Sequence, residues 1–279
     1  RFEVAIQSID PSLTAISPIR DLSLTRDVEI DYAQKYHLPI TQDRKNPYSI
    51  DQNMWGRAIE TGYLEDPWNP PTEDVYAYTA DSSQDRPADQ VILTFNQGIP
   101  THIDGQPVSP VEAIRQLNKR AGAQGIGRVD IMEDRLVGIK SRELYEVPGA
   151  QVLIQAHQDL EDLCLEREQH RIKRLVDMRW AQLVYDAQWY SPAVKSLNAF
   201  IADTQVYVSG QIRMSLHSGK AVITGRRSDT SLYSYSLATY ETGDRFNQNA
   251  SNGFIELYGL PCKIAAARDI ASGKGVKHV

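Results

Sequence analysis

Residues 206–224 read VYVSGQIRMSLHSGKAVIT, and this stretch decides the fold. Its apolar side chains alternate with polar ones; they are Val206, Val208, Ile212, Met214 and Leu216. Alternation with a period of two is typical of a strand that buries one face. Residues 217–220 (HSGK) then predict a tight turn, after which Val222 and Thr224 begin a return strand. The stretch therefore predicts an antiparallel hairpin.

The same alternation recurs outward from this hairpin. Strands are predicted at residues 91–95, 128–133 and 135–140, and a hairpin turn at residues 103–106, which contain Asp104-Gly105. Because helical patterns lie between these strands, the main body is predicted to be α+β, with an antiparallel sheet and flanking helices.

Two helical patterns accompany the strands. Ser109 is placed as an N-cap, Pro110 falls at the first helical position, and Glu112 is placed for a capping box. A longer helical pattern covers residues 149–185. That length exceeds an ordinary globular helix, so the pattern predicts either one interface helix or two helices broken near His170.

The N-terminal quarter shows a different pattern. We predict strands at residues 2–9 and 13–19, a helix at 25–37 and a short strand at 38–40. Strands that alternate with a helix and carry apolar residues on both faces are typical of a parallel α/β sheet. Residues 41–90 are rich in Asn, Asp, Pro and Tyr and are predicted to form loops with short elements.

Composition excludes several classes of protein. The chain has 279 residues, 41% hydrophobic, and a net charge of −6, which gives no electrostatic basis for binding nucleic acid or an anionic membrane. No apolar run has the length of a membrane helix, and the N-terminus does not have the pattern of a signal peptide. The two cysteines, Cys164 and Cys262, cannot form a disulfide framework, which fits a reducing cytoplasm. The missing initiator Met predicts either that processing removed a segment or that the sequence starts internally, and the strand-like start favours the second expectation.

Several tempting motifs fail in detail. Gly122, Gly125 and Gly127 do not follow the dinucleotide-binding order, so they are interpreted as a helix end and a tight turn. Two Gly-Lys pairs lack the hydroxyl of a phosphate-binding loop; they are Gly219-Lys220 and Gly273-Lys274. The histidines do not take zinc-ligand spacing, and those on the long helical pattern are interpreted as surface or interface residues; they are His157 and His170.

Four places could carry binding chemistry, each with a plainer alternative. Ser49 lies in a predicted polar loop, where its hydroxyl could contact a ligand or cap a local turn. Glu133 ends an apolar strand, where it could meet a ligand ammonium or belong to a solvated turn. A third place carries two cations and a phenol: Lys140, Arg142 and Tyr145. These residues could bind an anion, or they could belong to a surface hairpin. Arg1 is a cation that means nothing by itself.

The residues of these segments, in this order and spacing, resemble argininosuccinate synthase. The matching runs extend over essentially the whole chain, and many short runs agree in order. They include residues 2–4, 45–51, 53–57, 64–68, 125–133, 137–142, 145–146, 156–157, 159–161, 183–185, 189–192 and 231–233.

This resemblance implies a citrulline-binding set. Arg1, Ser49, Glu133 and Tyr145 align with the family's citrulline contacts, and a second pocket serine falls on Ala58, which removes one hydroxyl. The family's nucleotide-binding domain has a Ser-Gly-Gly-x-Asp loop that the 279 residues do not contain. The ATP loop and the aspartate-contacting Asn-Asp pair would then lie upstream of Arg1. The resemblance assigns no catalytic, nucleotide-binding or metal-binding residue to this chain.

The resemblance also implies activity, partners and domains. The implied activity is the ATP-dependent ligation of citrulline and aspartate, with release of AMP and pyrophosphate, in arginine biosynthesis. The resemblance also implies Mg²⁺ as a cofactor and a cytoplasmic homotetramer. This chain alone is expected to be inactive. The expected domains are the end of a nucleotide-binding α/β domain (1–42), a synthetase domain (43–240) and an oligomerisation tail (241–279). Two alternatives stay open: another nucleotide-activating ligase of related fold, and a non-catalytic oligomerisation or amino-acid-binding module.

Overall fold

A computed structural model describes residues 1–39, 48–239, 241 and 245–275. The helices are α1 (Phe2–Ile9), α2 (Pro18–Asp21), α3 (Arg26–Lys35), α4 (Pro110–Ala123), α5 (Pro148–Cys164), α6 (Arg167–Tyr185), α7 (Pro192–Thr204), α8 (Tyr235–Ala238) and α9 (Ala250–Ala271). The strands are β1 (Ser49–Gln52), β2 (Arg57–Glu60), β3 (Asp89–Asn96), β4 (Ile99–Ile103), β5 (Gln106–Pro107), β6 (Arg128–Asp134), β7 (Lys140–Glu146), β8 (Gly210–His217) and β9 (Lys220–Arg227).

The larger sheet has five antiparallel strands in the order β5-β4-β3-β8-β9. Leu93 lies opposite Ile212, and Val91 lies opposite Met214. These side chains point to one face, where they pack with α4 and α5 in the main hydrophobic core. The predicted α+β class, with an antiparallel sheet and flanking helices, is confirmed.

The predicted strand at 206–216 is confirmed only in part. The strand begins at Gly210, because residues Gln205–Tyr207 form a 3-10 turn. The Gln205 side chain is buried and donates to Glu161 at 2.7 Å, which anchors that turn to α5. Val208 is fully buried although it lies outside the strand, so alternation alone could not separate the two elements.

The smaller sheet has four antiparallel strands in the order β1-β2-β7-β6. One face packs a small core of four buried residues: Ile59, Leu64, Val75 and Leu144. The strand predicted at residues 135–140 is wrong, since Asp134 pairs with Lys140 and residues 135–139 form the turn between them. Gly138 has a φ of +89° in that turn, a conformation that favours glycine.

The helical predictions are largely confirmed. Ser109 caps α4 by accepting a hydrogen bond from the Glu112 amide at 3.2 Å. The long pattern is two helices, as the second alternative predicts, but the break lies earlier than His170. Glu166 starts the second helix by accepting from two backbone amides of its first turn. Gly125 has a φ of +72° just after α4, which confirms a helix end followed by a tight turn.

The N-terminal predictions fail for the strands and hold for one helix. Residues 2–9 are a helix, α1, and residues 13–19 contain no strand, since Pro18 begins α2. Phe2, Ala5, Ile6 and Ile9 fall at i, i+3, i+4 and i+7, so the helical period describes this segment better than the strand period.

The helix predicted at 25–37 is confirmed as α3, with Thr25 at its N-cap position but without a side-chain cap bond. Leu38 and Pro39 are not a strand, and Ile40 lies outside the described residues. The loop prediction for 41–90 is confirmed for residues 48–88, which hold only β1, β2 and short 3-10 turns; residues 41–47 are not described.

The chain divides into two compact units, Arg1–Leu232 and Tyr233–Val279. The second unit contains α8 and α9, and several large apolar side chains of α9 are exposed, among them Phe254, Leu257 and Tyr258. The predicted domain boundaries at 42/43 and 240/241 stay predictions. Among the described residues, no helix combines the length and apolarity that crossing a membrane requires.

Candidate functional site

A cleft of about 910 Å³ opens on the outer face of the smaller sheet. All four residues predicted to bind a ligand line this cleft: Arg1, Ser49, Glu133 and Tyr145. They come from the start of α1, from β1, from β6 and from β7. The fold therefore brings together residues that are up to 144 positions apart in the sequence.

The strand period explains which side chains reach the cleft. Ile59 and Leu144 point into the small core, so their sequence neighbours Ala58 and Tyr145 point into the cleft. Ala58 lies directly opposite Tyr145 on one side and Asp51 on the other. The methyl group of Ala58 therefore occupies the place between a phenol and a carboxylate where the resemblance implies a serine.

Glu133 is held by two phenols. Its Oε1 accepts a short hydrogen bond from Tyr145, and its Oε2 accepts one from Tyr185 at 2.7 Å. Burial acts to raise the pKa of Glu133. The hydrogen bonds from Tyr145 and Tyr185, a hydrogen-bonding contact with Glu143 and the positive charge of Arg1 outweigh it, so the pKa lies below the ordinary value. Glu133 therefore faces the cleft as a carboxylate at neutral pH.

Tyr145 lies between two carboxylates. Its hydroxyl is 2.5 Å from Glu143 Oε2 as well as bonded to Glu133, so its single proton is shared between them. Burial and these two hydrogen bonds raise the pKa of Tyr145 well above its ordinary value. The phenol therefore stays protonated and works only as a donor toward the carboxylates.

Arg1 and Ser49 present open donors to the cleft. Arg1 Nε donates to the Tyr185 carbonyl at 3.1 Å, and its guanidinium lies 4.5 Å from the Tyr185 ring centroid. The Ser49 amide donates to Thr61 Oγ1 at 3.0 Å. Among the described residues, neither the Nη groups of Arg1 nor the Ser49 hydroxyl has a hydrogen-bond acceptor. These groups are available to bind an anionic group.

Sequence reasoning missed several residues of the cleft wall. Glu143 follows from the strand period, since it lies two positions before Tyr145 on the same face. Arg135 bridges Glu60 at 2.8 Å and Glu143 at 3.3 Å, which holds the wall charges in place. Tyr185 lay in a run that matched the family, but it comes from a helix end 52 positions after Glu133, so no local spacing could place it there.

The basic candidates of the β6–β7 hairpin lie elsewhere. Lys140 pairs with Asp134 at the exposed turn. Arg142 forms two hydrogen bonds to Asp130, at 2.9 and 2.7 Å, and donates to the Asn69 carbonyl at 2.8 Å. Neither cation lines the cleft. Lys140 is exposed, as the surface-hairpin alternative expects, whereas the Arg142 side chain is only 8% exposed.

A buried carboxylate supports the cleft from behind. Glu146 is fully buried at the end of β7 and accepts hydrogen bonds from the backbone amides of residues 77–79, at 2.8–3.1 Å. Arg57 pairs with it at 2.9 Å. Burial acts to raise the pKa of Glu146, but these bonds lower it below the ordinary value. Glu146 therefore fastens the loop at 77–79 to the two central strands of the smaller sheet.

The charges of the cleft favour a ligand that carries a positive group. Its lining contains more carboxylates than guanidinium groups: Asp51, Glu60, Glu133, Glu143 and Asp186 against Arg1, Arg57 and Arg135. The described residues contain no group of three or more His, Cys, Asp or Glu side chains that could hold a metal ion. The arrangement suits the binding of an organic ligand with both charges.

Comparison with protein families gives two matches along the chain. Residues 48–265 match the family model described as the arginosuccinate synthase C-terminal domain, and residues 1–39 match that of the arginosuccinate synthase N-terminal HUP domain. The first match alone covers well over half of the chain.

Proposed function

Because the chain belongs to the argininosuccinate synthase family, we propose that it carries the citrulline-binding site of a ligase that joins citrulline to aspartate. The observation that carries this proposal is the cleft of the smaller sheet. It combines an ionised Glu133 with the open donors of Arg1 and Ser49, and so it offers partners to both charges of a free α-amino acid.

Each residue has a role that follows from its chemistry. Glu133 binds the citrulline ammonium, since its carboxylate is held in place by two phenols. Arg1 binds the α-carboxylate, and Ser49 supplies a hydroxyl that orients the substrate. Tyr145 fixes Glu133 and contributes its ring to the wall. The methyl group of Ala58 leaves room for a water molecule to take over the missing hydroxyl contact.

The reaction begins when the ureido oxygen of citrulline attacks the α-phosphorus of ATP and pyrophosphate leaves. The aspartate amine then attacks the ureido carbon, AMP leaves, and argininosuccinate forms. None of the four cleft residues needs to transfer a proton in these steps. They contribute by positioning, and well-oriented reactants can save roughly 7–11 kcal/mol of a barrier.

ATP and Mg²⁺ are substrate and cofactor of this reaction, but the described residues do not fit either. The 279 residues contain no Ser-Gly-Gly-x-Asp loop, and the described part has no metal-binding cluster. Mg²⁺ commonly binds through the phosphates of its nucleotide. We therefore place the contacts to ATP phosphates and Mg²⁺ outside these residues, and we expect the 279-residue chain alone to turn over no ATP.

A paired substitution tests the citrulline site. Glu133→Gln removes the charge of a hydrogen bond worth ~1.5–3 kcal/mol, so citrulline should bind the 279-residue chain about 10- to 100-fold more weakly by calorimetry. Asp134→Asn is the matched control, because Asp134 is the next residue but lies outside the cleft. Equal effects of the two substitutions would contradict the proposed role of Glu133.

A second assay distinguishes the ligase from the alternative of a non-catalytic amino-acid-binding module. That alternative is favoured by the same cleft, because the 279 residues contain no phosphate-binding loop. The 279-residue chain should release no AMP or pyrophosphate with citrulline, aspartate and ATP. A chain extended by a family nucleotide-binding domain should release both. If the 279-residue chain released AMP and pyrophosphate, its activity would not depend on that domain. If the extended chain released neither product, the non-catalytic module would be favoured.

We further propose a cytoplasmic homotetramer. The exposed apolar side chains of α9 suit burial against other copies of the chain, and both cysteines are free thiols, as in a reducing compartment. Light scattering should give four times the mass of one chain. Leu257→Asp should lower that mass, whereas Glu256→Asp in the same helix should not.

A further inference from the structure

Tyr185 touches both charged groups of the cleft. It is the last residue of α6, and its hydroxyl donates to Glu133 Oε2 at 2.7 Å. Its ring lies under the Arg1 guanidinium at 4.5 Å, and its carbonyl accepts from Arg1 Nε at 3.1 Å. One side chain and its own backbone therefore connect the anionic and the cationic partner of the ligand.

We propose that Tyr185 is a positioning residue that sets the separation between Glu133 and Arg1, and that it thereby selects ligands with an ammonium and a carboxylate on one carbon. The proposal rests on the proposed function, since it takes these two groups as the partners of the two ends of citrulline. Tyr185 acts through them and needs no contact with the reacting atoms.

The hydroxyl contact fixes the orientation of the carboxylate. Tyr145 occupies one oxygen of Glu133 and Tyr185 the other, so rotation of the carboxylate would break one of the two bonds. The ligand ammonium then meets a carboxylate whose orientation is fixed. The hydrogen bond to Glu133, with burial, raises the pKa of Tyr185, so the phenol remains a donor.

The ring and carbonyl contacts fix the guanidinium. A cation over an aromatic face is attracted by the ring, and the carbonyl end of a helix carries partial negative charge. Both act on Arg1 at the same residue. Because they use the Nε and one face of the guanidinium, they leave the Nη groups directed to other acceptors.

The end of α6 is itself held in a defined conformation. The Asp186 amide donates to the Gln182 carbonyl at 2.9 Å, and the Gln188 amide donates to Leu183 at 2.8 Å. Ala187 takes a left-handed φ of +65° between them, and Leu183 is buried. Asp186 and Ala187 also line the cleft. The backbone of Tyr185 is therefore fixed by the contacts of the helix end.

Two substitutions separate the two contacts. Tyr185→Phe removes the hydroxyl and keeps the ring, so citrulline should bind about tenfold more weakly, while 5-ureidopentanoate, which lacks the ammonium, should bind as before. Tyr185→Leu removes the ring as well and should also weaken 5-ureidopentanoate. Tyr190→Phe is the matched control, because Tyr190 is an exposed tyrosine outside the cleft, and it should change neither affinity.

The expected result is this split between the two ligands, measured by calorimetry on the 279-residue chain. A Tyr185→Phe variant that binds citrulline like the wild type, or loses both ligands equally, would overturn the positioning role. If Glu133→Gln also leaves citrulline binding unchanged, the proposed function fails as well, so the two failures can be told apart.

A measurement without ligand decides the hydroxyl contact independently. Carboxyl ¹³C titration of Glu133 should show its pKa rising toward the ordinary value in Tyr185→Phe and staying in place in Tyr190→Phe. An unchanged Glu133 pKa in Tyr185→Phe would overturn the proposal even if citrulline failed to bind the wild-type chain.

Discussion

The two sheets of the first unit differ in what covers their faces. The five-stranded sheet packs one face against α4 and α5, and its core includes fully buried residues such as Leu93, Ile212 and Met214. The four-stranded sheet buries a core of only four residues. Its other face carries the charges of the cleft. The larger sheet is thus held mainly by apolar burial, whereas the smaller one combines a small apolar core with hydrogen-bonded charges.

This difference shows how one chain separates stability from binding. Apolar burial stabilises a sheet without regard to direction, whereas charges in a cleft must be oriented and are costly to bury unless they are paired. The carboxylates of the smaller sheet accordingly have partners: Glu146 has Arg57 and backbone amides, and Glu143 has Arg135. The charges of the binding face are thus oriented by pairs of their own and not by the larger core.

The largest expected effect lies in the larger sheet. Leu93→Ala leaves a cavity in a packed core and should lower the free energy of unfolding by about 4 kcal/mol. Urea unfolding measures this loss, and citrulline affinity of the folded variant should not change. Ile92→Ala is the control, since Ile92 points to the other face and is partly exposed. A loss below about 1 kcal/mol for Leu93→Ala would contradict the comparison.

The next effect measures how much the buried ion pair of Glu146 and Arg57 contributes to the stability of the smaller sheet. Glu146→Gln leaves Arg57 without its buried anion and should cost about 3 kcal/mol of unfolding free energy. Thermal or urea unfolding measures it. Glu73→Gln serves as the control, because Glu73 is an exposed partner of Arg128 and its loss should cost less than about 1 kcal/mol.

The pH dependence of that difference has a definite sign. The folded-state pKa of Glu146 is below its ordinary value of 4.5, so the carboxylate stabilises the fold fully above that value. As the pH falls through the folded pKa, this contribution is lost. The stability gap between the wild type and Glu146→Gln should therefore be constant from pH 8 to pH 6 and shrink below pH 4.5. A gap that grows in acid would contradict it.

A smaller effect concerns binding. The pKa of Glu133 also lies below 4.5, so citrulline affinity should show no loss from this carboxylate between pH 8 and pH 5. The affinity should fall when the carboxylate is protonated at lower pH, by about 10- to 100-fold at most. Calorimetry across this range measures it, and Glu133→Gln should abolish the acid dependence. A midpoint near pH 6 would mean that Glu133 is not held as described.

The smallest effect is expected at the turn of the β6–β7 hairpin. Lys140 and Asp134 form an ion pair, but both side chains are more than half exposed. Lys140→Ala should change the free energy of unfolding by less than about 0.5 kcal/mol, because solvent screens such pairs. A loss as large as that of Glu146→Gln would show that exposed charges also hold the smaller sheet.

Predictability from sequence follows the same division. The sequence predicts the hairpin around the turn at residues 217–220 and the start of α4 at Ser109, because alternation and caps are local signals, but it places the first strand's start too early. The prediction of a strand at residues 2–9 is wrong. Five apolar residues in eight positions fit both the strand period and the helix period, and the segment forms a helix. Residues 135–139 were wrongly predicted because a glycine turn lies inside an apolar run.

The sequence by itself determined the antiparallel α+β class, the family resemblance and the four cleft residues that came with it. Only the tertiary structure placed Tyr185, Glu143 and Arg135 around Glu133 and brought Arg1 over the end of α6. Periodicity and capping depend on neighbours within a few positions, so they can be read along the chain. A cleft depends on which strand edges and helix ends meet in space, and that is decided by how the two sheets and their helices bury apolar surface together.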